Sequence, residues 1–251
     1  KVHADTGNVY YPLSGGDFLT IHTIYPNARK YVFFGLEPEG RHLSRPYLLN
    51  VSQQDMADAF RVQMKALDDI MDEDESFFVT RDMQKDLKRS KLTGQIPIIL
   101  SFMGRLEQQV INVEPIYLQT DGTPDLLAEQ PAELDPRDST ITGMRYTFRK
   151  GPGEPLQVVE YWSLDIVNDQ MAMYPYFMDY IASHAPTRTY FKAASYLFHW
   201  GNFSKMRVTT MDVSEFILQD DSGIAYRFYR DDPEHDWDLS YYGKYDKPKL
   251  D

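Results

Sequence analysis

Residues 9–40 carry the strongest signal for the fold, and they read VYYPLSGGDFLTIHTIYPNARKYVFFGLEPEG. The stretch at 9–13 is apolar and rich in strand-favouring residues, which predicts a β-strand. A Ser-Gly-Gly-Asp turn at 14–17 follows, because paired glycines relax the backbone restriction. A short helix at 18–25 and a second strand at 31–36 come next. Two strands joined by a helix predict a βαβ unit, so the N-terminal part of the fold is expected to be Rossmann-like.

The rest of the chain mixes strand-like and helix-like patterns, which predicts an α/β or α+β fold with helices packed on a mixed β-sheet. A hairpin is expected between residues 144–150 and 156–165, around a Gly-Pro-Gly turn. The apolar stretch 96–103 fits either a buried strand or a short buried helix. Further expected helices are 82–92, 174–183, 189–200 and 203–218, and further expected strands are 77–79, 110–118, 225–229 and 237–241.

The clearest helix spans residues 52–71. Ser52 at its start and Asp55 three residues later form a capping-box pattern. Large apolar residues then recur at spacings of three or four, which predicts one stripe that packs into the core. The stripe consists of Met56, Phe60, Met64, Leu67 and Met71.

Residues 119–140 have a different composition, with three prolines, several acids and few large apolar side chains. A loop of this length is uncommon inside a compact domain. We expect a single domain of residues 1–251, with the alternative that this segment divides it into two lobes.

Composition excludes several classes of protein. The formal charge of −12 argues against nucleic acid as a partner, because nucleic-acid binding draws its affinity from Lys and Arg. Cysteine is absent, which removes disulfides, thiolate catalysis and cysteine-ligated metal sites. No apolar run approaches the roughly 18 residues that span a bilayer. We therefore expect no transmembrane segment in this chain.

The first candidate ligand-binding residues lie in and after the βαβ unit. Ser14, Gly15 and Asp17 form the turn after the first strand, and Glu37 follows the second strand. Nucleotide-binding units place a glycine turn and an acid at these two positions, where the acid accepts hydrogen bonds from ribose hydroxyls. The G-x-G-x-x-G spacing is absent, so a tight structural turn is the alternative.

The second candidate is the sequence Gln-Asp-Asp-Ser-Gly at 219–223. Asp220 and Asp221 could ligate a divalent cation or a polar ligand, but adjacent Asp residues also form ordinary turns with their own downstream amides. Lys192 is a suitable ionic partner for either acid if the two segments meet. None of the six histidines forms a zinc-type pair, so we expect neither a metal site nor a cofactor.

Four segments in combination resemble a family of exported or lipid-anchored bacterial proteins that has no assigned activity. They are YPLSGGD at 11–17, YVFFGLEPEG at 31–40, FKAASYL at 191–197 and QDDSGIAY at 219–226. The resemblance extends over about residues 10–248, although Gly16 stands where the family pattern has proline. It implies a periplasmic or secreted location in the cell envelope and allows a lipid anchor upstream of this chain.

Two hypotheses about function follow. The leading one is an exported, non-catalytic binding or structural subunit of an envelope complex. The chain contains 18 Tyr, 14 Phe and 3 Trp, and such residues favour protein interfaces. The alternative is an enzyme, either a hydrolase or an S-adenosylmethionine-dependent transferase, in which Asp17, Glu37 and Asp221 converge in an acidic cleft.

Overall fold

The computed structural model describes residues 7–42, 49–71, 94–127, 140–185, 187–230 and 235–243. The strands are β1 (Asn8–Pro12), β2 (Lys30–Gly35), β3 (Gln109–Leu118), β4 (Pro124–Leu126), β5 (Thr142–Arg149), β6 (Gln157–Ser163), β7 (Thr187–Phe191), β8 (Ser214–Gln219) and β9 (Asp238–Tyr241). They form one nine-stranded mixed sheet in the order β4-β3-β5-β6-β2-β1-β7-β8-β9. The chain therefore has an α/β fold around a mixed sheet, as the sequence predicts.

Six neighbouring strands, from β6 across to β9, run parallel, whereas β5, β3 and β4 continue the sheet in antiparallel pairs. Every residue of β1 after Asn8 and of β2 after Lys30 is buried. Parallel strands covered on both faces have continuous apolar sequences without alternation. This explains the uninterrupted apolar character of both segments.

Helices cover both faces of the sheet. The α-helices are α1 (Phe18–Ile24), α2 (Gln53–Met71), α3 (Ile96–Arg105), α4 (Asn168–Met173), α5 (Pro175–Ala182), α6 (Ser204–Asp212) and α7 (Arg227–Arg230), and two 3₁₀ helices span Ala193–His199 and Gly201–Phe203. Alternate residues of β1 separate the two layers of core: Val9 and Tyr11 pack with α1 and α3, and Tyr10 packs with α5 and α6. The open alternative for residues 96–103 is thus resolved as a buried helix.

The direction of winding reverses between β1 and β7. From β1 the chain crosses one face of the sheet through α1 and enters β2, which lies on one side of β1. From β7 it crosses the other face through α6 and enters β8, which lies on the other side, away from β1. The order of the six parallel strands is that of doubly wound dinucleotide-binding sheets, 3-2-1-4-5-6, in which β6 of this chain takes the position of strand 3. In open α/β sheets, ligands bind beyond the carboxyl ends of the strands where the winding reverses.

Three predicted elements in the C-terminal part were wrong. The stretch 189–200 begins as β7 and only its second part is helical, because a strand buried at all five positions lacks the alternation that separates it from a helix. The stretch 203–218 contains α6 and then β8. The predicted strand at 225–229 is the short helix α7, which Tyr229 anchors by donating to Gln219 Oε1 at 3.0 Å.

The helix at 52–71 is correctly predicted, but part of its stripe is not buried. Ser52 Oγ accepts a hydrogen bond from the Asp55 N–H at 3.1 Å, as the capping-box pattern predicts. Ala59 is buried, whereas the side chains of Phe60 and Met64 are 55 % and 57 % exposed. The helix contacts α3.

The segment 119–140 is not wholly a loop. It contains β4, which pairs with β3, and the strands on either side of the segment, β3 and β5, pair with each other in the same sheet. The division into two lobes stays a prediction. The expected strand at 77–79 and helix at 82–92 lie outside the described residues. Among the described helices, none has the length and apolarity needed to cross a membrane.

Candidate functional site

The seven candidate ligand-binding residues all follow the carboxyl ends of parallel strands. Because such ends meet at one edge of a sheet, the fold brings these residues to a common edge, which we call the carboxyl edge. Ser14, Gly15 and Asp17 follow β1, Glu37 follows β2, Lys192 follows β7, and Asp220 and Asp221 follow β8. The point where the winding reverses, between β1 and β7, therefore lies at this edge.

The turn after β1 has an unusual backbone. Leu13, Gly15 and Gly16 have φ angles of 56°, 55° and 88°, in the left-handed region. A leucine rarely adopts this conformation, and such backbone strain concentrates at binding sites. The turn is closed by the Asp17 N–H, which donates to the Ser14 carbonyl at 3.0 Å. Ser14 Oγ is buried and has no hydrogen-bond partner.

Asp17 has a structural role in addition to its place in the turn. Its Oδ1 accepts from the N–H of Thr20 at 3.0 Å and so caps α1, and its Oδ2 accepts from the Tyr11 hydroxyl at 3.1 Å. The carboxylate thus occupies the start of the helix. A phosphate group could not bind there without displacing it.

Glu37 lies beneath the glycine turn. Its Oε1 is 3.9 Å from the position that a Cβ on Gly15 would occupy, and its Oε2 is 2.9 Å from the equivalent position on Gly35. The absence of a side chain at Gly35 leaves the space for this carboxyl. Tyr161 donates its hydroxyl hydrogen to the main-chain oxygen of Glu37 at 2.8 Å and lies 3.4 Å from Oε2. Burial raises the pKa of Glu37 above its ordinary value.

Glu39 is a second buried acid, which sequence analysis did not single out. Its Oε1 accepts from the Thr142 hydroxyl at 2.7 Å, and burial raises the pKa of its carboxyl as well. The hydroxyl of Tyr146 is buried without a partner, and the negative charge of Glu39 adds to burial in raising the pKa of Tyr146. The acids at 37 and 39 share the Glu-Pro-Glu-Gly sequence, which was a signal available in the sequence.

Gln95 completes this group of residues. Its side chain is fully buried, and neither amide atom has a hydrogen-bond partner. Its Oε1 lies 2.4 Å from the position of a Cβ on Gly16, so the amide fits directly against the glycine turn. Its main-chain N–H donates to the carbonyl of Pro38 at 3.0 Å. No local sequence signal identifies Gln95, because only the folding of α3 over the turn brings it there. Hereafter Glu37, Glu39, Gln95, Tyr146 and Tyr161 are called the acid cluster.

The residues after β7 and β8 lie at the same edge but are arranged differently. The Asp220 N–H donates to the Phe191 carbonyl, beside Lys192, at 3.2 Å. Asp220 Oδ1 accepts from the Ser222 N–H at 2.9 Å, so the turn that the sequence offers as the alternative to an ion site is present. Asp221 packs against Gly243, where a Cβ would lie 2.8 Å from its Cγ. Within the described ranges, no three acids or histidines are grouped as a metal site requires.

Another buried acid, Glu160, lies on the other face of the sheet. Lys30 Nζ is 2.7 Å from its Oε2, Arg145 Nη2 is 2.8 Å from its Oε1, and the Tyr180 hydroxyl donates to Oε2. Burial alone would raise the pKa of Glu160, but the two cations hold it below its ordinary value. This site is a satisfied ion pair and offers little to a ligand.

Comparison of the chain with known proteins finds no matching family, no similar curated protein and no similar solved structure.

Proposed function

We propose that this protein binds a small molecule that carries hydroxyl or amine donors and no phosphate, at the carboxyl edge over the turn of residues 14–17. The observation that carries the proposal is the buried amide of Gln95, which lies against Gly16 with both polar atoms unpartnered. A buried polar group without a partner costs free energy of about 1–3 kcal/mol. Such a cost is typically retained where a ligand or ordered water completes the hydrogen bonds.

The groups around the turn favour a ligand rich in donors. Glu37 Oε1 approaches Gly15, and Asp220 lies half-exposed at the end of β8. Carboxyl oxygens accept hydrogen bonds from hydroxyl and amine groups, and Ser14 Oγ can act as either donor or acceptor. Half-exposed Ser14, Gly15 and Lys192 would form the mouth of the site, and buried Glu37 its floor.

The same groups disfavour a phosphate. Asp17 lies in the turn and already caps the N-terminus of α1, and Asp220 follows β8 at the same edge of the sheet. Helix N-termini and basic side chains are the usual phosphate partners, and of the candidate residues only Lys192 is basic. A nucleoside-like or cationic ligand therefore fits better than a dinucleotide.

The test is calorimetric titration of the chain with two groups of compounds. Adenosine, S-adenosylmethionine and spermidine represent ligands that carry donors without phosphate, and ATP and NAD represent phosphate ligands. We expect binding from the first group only. Glu37→Gln and Ser14→Ala should each weaken it about tenfold, whereas Glu215→Gln, an exposed acid on β8, should not. Stronger binding of ATP or NAD, or no binding in the first group, would refute the proposal.

One of the functional hypotheses from sequence is tested by the same experiment. A transferase that uses S-adenosylmethionine is the enzyme hypothesis closest to the proposed ligand class, and selective binding of that compound would support it. The hypothesis of an exported subunit of an envelope complex stays a prediction, motivated by the family resemblance and the aromatic content. Exposed Trp200, Tyr241 and Tyr242, which are 48–59 % accessible, are the side chains best suited to contact a protein partner.

A further inference from the structure

A pocket of about 460 Å³ opens on the antiparallel side of the sheet. It lies between the end of β3 and the junction of α4 with α5, and its volume is in the range of small-molecule sites. Its lining residues are Tyr117, Leu118, Gln119, Thr120, Thr140, Met173, Tyr174 and Tyr176. None of the functional hypotheses from the sequence involves these residues.

The pocket lies apart from the turn of residues 14–17. Its tyrosines Tyr174 and Tyr176 come from the α4–α5 junction, which packs on the face of the sheet opposite α3. In the sheet, β3 is separated from β2 by β5 and β6, which places it three strand spacings, or about 14 Å, from β2. Binding in the pocket can thus be measured separately from binding at the turn of residues 14–17.

The walls of the pocket are held by backbone packing. The turn after β3 passes through Gly122, where a Cβ would lie 3.3 Å from the Tyr176 carbonyl oxygen and 3.4 Å from the Tyr180 nitrogen. The turn therefore rests directly on the first residues of α5. The rings of Tyr174 and Tyr176 meet edge to face, with centroids 6.0 Å apart. Two sides of the pocket are fixed relative to each other without any ligand.

The chemistry of the lining is neutral and amphipathic. None of the eight lining side chains is charged at neutral pH, although the chain as a whole carries a formal charge of −12. Tyr174 and Tyr176 supply flat apolar faces with polar tips, and the amide of Gln119 and the hydroxyls of Thr120 and Thr140 supply hydrogen-bonding groups. The Gln119 amide is oriented by donating to Asp125 Oδ2 at 3.1 Å.

We propose that this pocket binds a neutral sugar ring. A pyranose has an apolar face of C–H groups, which packs on an aromatic ring, and a rim of hydroxyls, which needs uncharged donors and acceptors. A charged ligand would lose its hydration in the pocket without gaining an ionic partner from the lining. A wholly apolar ligand would meet amide and hydroxyl groups in the wall, with which it forms no hydrogen bonds.

The test is titration of the full chain with maltotriose and methyl glucoside, followed by calorimetry, with glucuronate as the charged comparison. We expect both neutral sugars to bind and glucuronate to bind at least about tenfold more weakly. Tyr174→Ala should weaken sugar binding about tenfold, whereas Tyr241→Ala, an exposed tyrosine on β9, should leave it unchanged.

Two further variants keep the result interpretable. Thr120 is exposed on the turn, so Thr120→Arg should narrow the pocket and abolish sugar binding even if Tyr174→Ala does not fold. Glu215→Gln, at an exposed acid on β8, should leave sugar binding unchanged. Absence of neutral-sugar binding, preference for glucuronate, or binding that survives Thr120→Arg would each overturn the inference.

Discussion

Glu160 and Glu37 are both almost completely removed from water, yet their surroundings are opposite. Glu160 lies between Lys30 and Arg145, and these cations keep its carboxyl charged. Glu37 has Tyr161 and two glycines as its neighbours, and burial favours its neutral form. Ionic partners inside the fold hold the pKa of the first acid below its ordinary value, whereas burial raises the pKa of the second.

The difference separates a structural site from a candidate functional one. A buried ion pair that satisfies all its atoms holds strands together, but it leaves no group for a ligand. A buried acid without a cation, beside an unpartnered amide, stabilises the fold poorly and is typical of a binding site. The carboxyl edge has the second type of environment, and the two acids can be compared directly by mutation.

The largest effect is expected from breaking the ion pair. Glu160→Gln leaves half-buried Lys30 and Arg145 without their counter-charge, which should lower the free energy of unfolding by about 3–5 kcal/mol. Urea unfolding followed by circular dichroism measures this change. Glu215→Gln is the matched control, because Glu215 is exposed on β8. A loss below about 1 kcal/mol would show that water, and not the ion pair, solvates Glu160.

The glycine turn should give the next largest effect. Gly16 has a φ of 88°, and a Cβ there would meet Gln95 Oε1 at 2.4 Å. Gly16→Ala should cost about 1–2 kcal/mol for the backbone alone and should displace the amide that carries the proposed function. Gly151→Ala, where a Cβ has open space and φ is not positive, should be nearly neutral. Equal thermal midpoints for the two variants would contradict this account.

The pH dependence of the stability of Glu37→Gln gives the most direct comparison between Glu37 and Glu160. Because the pKa of Glu37 is raised on folding, its contribution to stability is present at low pH and is lost as the pH rises through the folded-state pKa. Relative to the wild type, Glu37→Gln should therefore gain stability between about pH 5 and pH 8, a range that lies above the ordinary pKa of a glutamate carboxyl. Glu160 has a lowered pKa, so its contribution is lost instead as the pH falls. Unfolding curves at the two pH values measure the sign.

The smallest effect should come from an exposed ion pair. Arg61 and Asp58 pair on α2 with side chains that are 71 % and 52 % exposed. Arg61→Ala should change the free energy of unfolding by less than about 0.5 kcal/mol, because solvent screens the pair. Thermal unfolding at low and high salt measures this change in the free energy of unfolding. A larger, salt-sensitive loss would mean that exposure is a poor guide to the energy of ion pairs in this protein, and would weaken the comparison between Glu160 and Glu37.

Local sequence patterns predicted the elements whose signals are short-range. The Ser-Gly-Gly-Asp turn, the capped helix at 52–71 and the hairpin at 151–153 depend on backbone freedom, capping and turn chemistry within a few residues. The prediction of a helix over the whole of 189–200 was wrong because β7 is covered on both faces. The composition of such a strand depends on the strands and helices around it.

The sequence by itself determined a mixed sheet with helices packed on it, the βαβ unit and the presence of candidate ligand-binding residues after strand ends, because these follow from periodicity and local conformational preference. The α/β class, which the sequence left open against α+β, was decided by the strand pairing. Only the tertiary structure decided what surrounds each buried acid. Gln95 is 79 residues from Gly16 and lies against it only because α3 packs over the turn. The charge state of an acid depends on neighbours brought from distant segments. For this reason the sequence alone does not distinguish Glu37 from Glu160, whereas in the fold the pKa of Glu37 is raised and the pKa of Glu160 is lowered.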